Sequence, residues 1–160
     1  MAATVLTTGP AVVKLDTGAG NTLEILGYSA EGVSIREEAR MIDVPGDENG
    51  GSEGPPIEIQ YLGEIHYVTM ELTKLDVAVL NKINVRVYGN STPGTTSTPG
   101  TLMSSNSFRL LILSTTNPRN YLFAIPREPI ESNRGTKYMR VSMVFECHSS
   151  SDVLWNTTTS

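Results

Sequence analysis

Lys137-Tyr138-Met139-Arg140-Val141-Ser142-Met143-Val144-Phe145-Glu146-Cys147-His148 is the longest clean alternation in the chain. Met139, Val141, Met143, Phe145 and Cys147 fall on one parity, with mostly polar residues between them. Successive side chains of a strand point to opposite faces, so this pattern describes a β-strand with one dry face and one wet face. On that dry face Cys147 reads as a small buried hydrophobe rather than a reactive thiol. It is the only cysteine, so no internal disulfide is available.

The same reading extends upstream. Phe108–Leu113 and Tyr121–Ile125 flank Ser114–Asn120, in which Asn117-Pro118 starts a turn, and together they form the clearest hairpin signal. Pro126 and Pro129 bound its second strand, and Glu131–Gly135 reads as a further turn. Nearer the start, Ala11–Leu15 and Thr22–Ile25 are strands separated by the turn Asp16–Asn21, and Gly27-Tyr28-Ser29 leads into a strand over Gly32–Asp43. Ile57–Gln60 and Glu64–Met70 read as two more, the second apolar on both parities, as suits a central position.

One segment changes period. Thr73 and Asp76 have the spacing of a capping box, Leu72 and Val77 that of a hydrophobic staple, and Leu75, Ala78, Val79, Leu80 and Ile83 supply an apolar stripe. This predicts one short α-helix over about 74–83, with Leu75, Val79 and Leu80 as its core contacts. Asn84–Tyr88 extends it or begins a strand. About eight strands and one helix give a mostly β fold: a two-sheet β-sandwich or curled β-barrel flanked by that helix.

Two stretches cannot build a core. Residues 44–56 hold four glycines, three prolines and three acids in thirteen positions. A loop of that length inside a domain is uncommon and usually functional. The second, over 89–106, repeats Ser-Thr-Pro-Gly-Thr and reads as a surface loop. The tail from about 149 is polar and expected to fray, with Leu154 and Trp155 tacked down. The 160 residues make a single domain, 1–160, with length enough for a core.

Composition narrows the function. Charged residues are only 18% of the chain, and Ser plus Thr occupy 33 positions, as suits surfaces that subunits bury against each other. The net charge of -5 is uneven: residues 1–58 hold ten acids against three bases, and residues 86–160 hold seven bases against four acids. That imbalance suits a subunit docking one face on a different face of its neighbour. Candidate inter-subunit contacts are Asp43, Asp47, Glu48 and Glu53 on the acidic side, with Arg119, Arg127, Arg134 and Arg140 on the basic side. No leader, no apolar run of membrane length and no basic stripe for nucleic acid is expected, so the reading is a soluble protein of a reducing cytoplasm. The sequons at Asn90 and Asn156 then carry little weight.

Chemistry is thinly supplied. His66 and His148 lie far apart, each in a strand with no third metal ligand beside it. Glu37 and Glu38 are adjacent and so point to opposite faces. The glycine-rich stretch at 46–54 lacks a lysine and carries acids, which excludes a phosphate loop. Asp16-Thr17-Gly18-Ala19 resembles an aspartic-protease motif but occurs once. The expectation is no enzyme, no metal and no cofactor.

The segment Gly32–Lys82 carries a family resemblance. It consists of a strand, the long Gly/Pro/acid loop ending Gly54-Pro55-Pro56-Ile57, the run Glu58–Thr73, and the helical pattern Lys74–Ile83. It resembles the tail tube (major tail) proteins of long-tailed bacteriophages and related contractile injection machines. The resemblance implies a β-sandwich or barrel with a flanking helix, hexameric rings stacked head to tail into a hollow tube, and a loop, here 43–57, reaching the adjacent ring. It further implies copies of itself and other phage tail proteins as partners, DNA only as non-specific cargo in the lumen, no membrane, and a virion component assembled in the host cytoplasm. A tail terminator, a head-tail connector or a capsid decoration protein shares the general fold. A small-ligand-binding β-barrel is a further alternative, for which one Trp and three Phe give few aromatics.

Overall fold

The alternating runs form ten strands in the computed structural model, which describes residues 10–16, 23–30, 32–46, 53–76, 78–80, 83, 99–100, 102, 107–114, 118–127, 130–133, 140–149 and 153–159. They are β1 (Ala11–Asp16), β2 (Leu23–Ser29), β3 (Val33–Val44), β4 (Glu58–Leu72), β5 (Lys74–Leu75), β6 (Phe108–Leu113), β7 (Arg119–Pro126), β8 (Glu131–Ser132), β9 (Val141–Cys147) and β10 (Trp155–Asn156). The fold is mostly β, as the periodicity requires.

All ten lie in one antiparallel sheet, ordered β3-β4-β9-β7-β6-β1-β2-β5, with β10 on β7 and β8 on β9. There is one sheet where two were an alternative, and it curls. Only Thr73 separates β4 from β5, yet β4 pairs with β9 through His66–Leu72 while β5 pairs with β2 at Gly27 and Tyr28. One run of chain therefore serves both ends of the strand order. Thr73 N–H donates to Tyr28 O at 3.2 Å and Asp76 N–H to Leu26 O at 2.8 Å, which fastens that corner. The cylinder stays open, with β3 outside β4 at one end of the order.

The concave face is the core. Val13 and Leu15 of β1, Phe108 and Leu110 of β6, Val68, Met70 and Leu72 of β4, and Val141, Met143, Phe145 and Cys147 of β9 are all buried there. Burying a Leu, Val, Phe or Met side chain contributes about 1.5–3 kcal/mol, so this face supplies the main driving force for folding.

Three expectations are corrected. Residues 57–60 and 64–70 are not two strands: β4 is continuous, and the apparent break at Leu62-Gly63 is a bulge where Arg40 faces Gly63 and Met41 faces Tyr61. Gly63 takes φ 126°, a conformation that side-chain-bearing residues rarely adopt. The helix does not start at 74. Lys74 and Leu75 are in strand β5, Thr73 is no cap, and helical geometry appears at residues 78–80 and 83. Asp76 is the cap instead: its Oδ1 accepts from Ala78 N at 2.9 Å and its carbonyl from Leu80 N at 3.1 Å. Val79, Leu80 and Ile83 are buried against the sheet, while Leu75 packs on the core from β5. The tail is also tied down, since Trp155 pairs with Tyr121 and Asn156 with Asn120. Most of the loop over 89–106 and the Val77 half of the staple lie outside the described residues.

Candidate assembly surface

Strand β9 stops supporting β4 at the pair His66–Cys147. From Ile65 back to Glu58, β4 pairs only with β3, across residues 38–44. These two segments leave the barrel as a two-stranded arm. Residues directly opposite in an antiparallel ladder share a face. Met41 with Tyr61, and Asp43 with Ile59, continue the barrel's inner face; Ile42 with Gln60, and Val44 with Glu58, lie on the other. Both faces are open. Met41, Ile42, Ile59, Tyr61 and the bulge residue Leu62 are 51–60% exposed, and Ile57 at the arm's end is 57% exposed.

A two-stranded hairpin alone is marginally stable in water, and a cluster of exposed large hydrophobics marks a surface that something covers. Its charge is one-sided as well. Residues 41–62 contain Asp43, Asp47, Glu48, Glu53 and Glu58 and no base at all.

The arm is held at its root by a polar clamp in which His66 and Tyr121 are buried and Glu37 is exposed. Glu37 and His66 are cross-strand partners where the arm begins. From β7, the Arg119 guanidinium donates to Glu37 Oε1 and, at 3.2 Å, to the Tyr121 hydroxyl. That hydroxyl lies 3.0 Å from His66 Nδ1. With the His66 proton on Nε2, the Tyr121 O–H donates to Nδ1 while its oxygen accepts from Arg119. Nε2 has no hydrogen-bond partner and faces Glu64 Oε2 at 3.7 Å. The Trp155 ring of β10 stacks on the Arg119 guanidinium at 4.3 Å. The clamp thus ties β3, β4, β7 and the C-terminal strand together.

Burial governs its protonation. Loss of water pushes His66 below its usual range, against the pull of Glu37 and Glu64, so the ring is neutral. Burial likewise raises the Tyr121 phenol to about 12, in spite of the Arg119 bond. The hydrogen bond from Arg119 holds Glu37 below the ordinary carboxylate value. Burial disfavours the Arg119 charge, but the bonds to Tyr121 and Glu37 outweigh it and raise its pKa. Neutral His, protonated Tyr and a neutralised Arg–Glu pair form a cross-brace at the root of the arm.

The charged residues singled out from the sequence are dispersed. Asp43 and Glu53 are exposed on the arm and its loop. Asp47, Glu48 and Arg134 lie outside the described residues. Arg119 is engaged in the clamp; Arg127 pairs with Glu146 at 2.8 Å, and Arg140 with Glu71 at 3.3 Å. His148 also bonds Glu146, at 2.9 Å, so the two histidines serve different clusters. Sequence reasoning did not find the clamp, nor the apolar residues of the arm. A signal for the arm was present: a base-free run with large apolar residues on both parities cannot be a simple half-wet strand.

Among the described residues, no helix is long and apolar enough to cross a membrane. Comparison of the chain with protein-family models found no match, and comparison with curated proteins found none.

Proposed function

We propose that this chain is a structural subunit that assembles with copies of itself, and within that class a tail tube protein of a virion, forming hexameric rings that stack into a hollow tube for genome passage. The observation that carries self-assembly is the arm: apolar residues on both of its faces are exposed in the single subunit, on an element too thin to cover them. The tube assignment rests on the resemblance of Gly32–Lys82 to tail tube proteins, in which the loop between the paired strands is the part that reaches the adjacent ring. Other tail proteins are then partners at the tube's ends, and DNA is cargo without specific contacts.

Negative-stain imaging and multi-angle light scattering of the purified protein test this. Stacked rings with a central channel are expected. Rings that never stack would move the assignment to a terminator, connector or decoration protein, and a 17 kDa monomer at every concentration would overturn self-assembly. A variant with Met41, Ile59 and Tyr61 all changed to Ser should keep its β circular dichroism and fail to assemble. Loss of the folded signal would instead make those side chains part of the subunit's own core.

A further inference from the structure

Among the described residues outside the arm and its loop, the exposed large hydrophobics are Ile25 (41%), Tyr28 (38%), Leu102 and Val153. The first two lie together. They line a groove of about 420 Å³ with Gly27, Lys74, Leu75 and Asp76, at the corner where β5 meets β2. The register places them on one face with two lysines. Tyr28 is opposite Lys74, and the Lys74 ammonium lies 5.7 Å from the centre of the Tyr28 ring. Ile25 is opposite Lys14, and Val12 is opposite Tyr28, so Lys14 shares that face, the reverse of the one that buries Val13 and Leu15. Asp76, the acid in the groove, is turned to the helical segment as its cap. The surface is therefore an apolar pair flanked by two cations.

Among the described residues there are thus an acidic apolar arm and an apolar groove with lysines beside it. They do not meet within the subunit, where Tyr61 and Ile59 stay 57% and 54% exposed. Two arms cannot pair face to face at low cost either, since each brings five acids and no base over residues 41–62. Arm against groove matches apolar surface with apolar surface and carboxylate with ammonium, and because the two patches differ it is a head-to-tail contact that propagates from copy to copy.

We propose that the groove formed by Ile25, Tyr28, Lys74 and Leu75 is the seat of the acidic arm of a second copy of this chain, with Tyr61 and Ile59 on Ile25 and Tyr28, and Asp43, on the same face of the arm, toward Lys14 and Lys74. This rests on the self-assembly reading above and goes beyond it by naming the receiving surface. The cations in this contact are Lys14 and Lys74, while Arg119, Arg127 and Arg140 each have a carboxylate partner inside the subunit.

Cysteine cross-linking of full-length protein tests it. The native Cys147 is fully buried and its thiol pushed up by burial, so it stays silent. Subunits carrying Tyr61→Cys are mixed with subunits carrying Tyr28→Cys under mild oxidation, while light scattering follows assembly. The expected result is a disulfide-linked dimer in the mixture and none in either variant alone. Assembly without that cross-link would overturn the arm–groove contact and leave self-assembly standing, as would a Tyr61→Cys variant that links to itself, which means arms pair with arms. Absence of any assembly, in wild type as in the mixture, would remove both. As a second measurement, Lys14→Glu with Lys74→Glu should slow assembly by about tenfold or more at low salt with unchanged circular dichroism, because charge reversal at a docking surface acts mainly on association rate. Adding Asp43→Lys should recover part of that rate. An unchanged rate in the lysine variant would also overturn the contact.

Discussion

Strand β4 is two different environments on one piece of backbone. In its C-terminal half Val68, Met70 and Leu72 are at most 2% exposed, whereas Ile59 and Tyr61 in its N-terminal half are 54% and 57% exposed. Hydrogen bonding to β3 is continuous along both halves, so the ladder is not what separates them. The difference is the second neighbour. Past His66 the strand gains β9 on its other edge and the curled sheet over its inner face; before it, among the described residues, only β3 pairs with it. Alternating apolar residues specify a strand, but only the surrounding layers turn one parity into a core. Where a strand keeps its apolar residues and loses those layers, the proposed assembly is what would supply the cover.

The sharpest way to break this comparison is to truncate one side chain in each half. Met70→Ala removes buried atoms and leaves a cavity, which costs about 2–5 kcal/mol in urea unfolding of the subunit. Tyr61→Ala should stay within about 0.5 kcal/mol of wild type in the unassembled subunit, as surface substitutions do, while weakening assembly. Similar losses at both positions would mean that the arm is packed within its own subunit.

A middle-sized effect is expected where the sheet turns its corner. A Cβ on Gly27 would lie 2.5 Å from the Lys74 carbonyl oxygen and 3.1 Å from Leu75 Cα, both backbone atoms that cannot step aside cheaply. Gly27→Val should therefore push β5 off β2 and cost about 1–3 kcal/mol. The amides of Thr73 and Asp76, which donate across that corner, should exchange faster with solvent while those of β9 do not. Unchanged exchange at both would show that β5 does not depend on this close approach.

That corner also shows where the sequence stops being legible. Phe108–Leu113 has the strand boundaries its apolar run announces, and the inward parity of Val141, Met143, Phe145 and Cys147 is buried throughout, because both depend on local alternation. The Thr73–Asp76 capping box is equally well formed as a local pattern and is not used. Its Thr73 amide is claimed by Tyr28, and the space for that pairing comes from the missing side chain of Gly27, far upstream in the chain. Leu62-Gly63 misleads in the same way, since a glycine that reads as a break serves as a bulge inside a strand held by β3. Arg119 reads as a candidate inter-subunit contact, whereas Glu37, Tyr121 and the returning Trp155 engage it inside the subunit. Local period is legible; which distant backbone or ring arrives to compete for a group is not.

The smallest effect expected concerns the boundary between the two halves, where His66 faces Glu37 on β3, Glu64 on its own strand, Arg119 and Tyr121 on β7, and Cys147 on β9. Because burial lowers the His66 pKa from its ordinary 6.5, the native ring stays neutral while the unfolded chain takes up a proton. The unfolded state then binds more protons, so stability falls as pH drops below about 6.5, levelling once the native ring also protonates. Glu37 acts in the same sense but lower: its pKa is depressed from 4.5 by Arg119, so its contribution is present above that value and lost as pH falls through the depressed one. Tyr121 works at the opposite end, its stabilising contribution lost as pH rises from 10 toward about 12. The melting temperature of the subunit should hence decline from pH 7.5 to 5.5, and His66→Gln should flatten that decline. Glu37→Gln should keep a decline and carry it to lower pH, because the pull of Glu37 on His66 is gone, and should also change the acid limb below pH 4.5. An unaltered slope in His66→Gln would place the titrating group elsewhere and show that the root of the arm is not held by a neutral histidine.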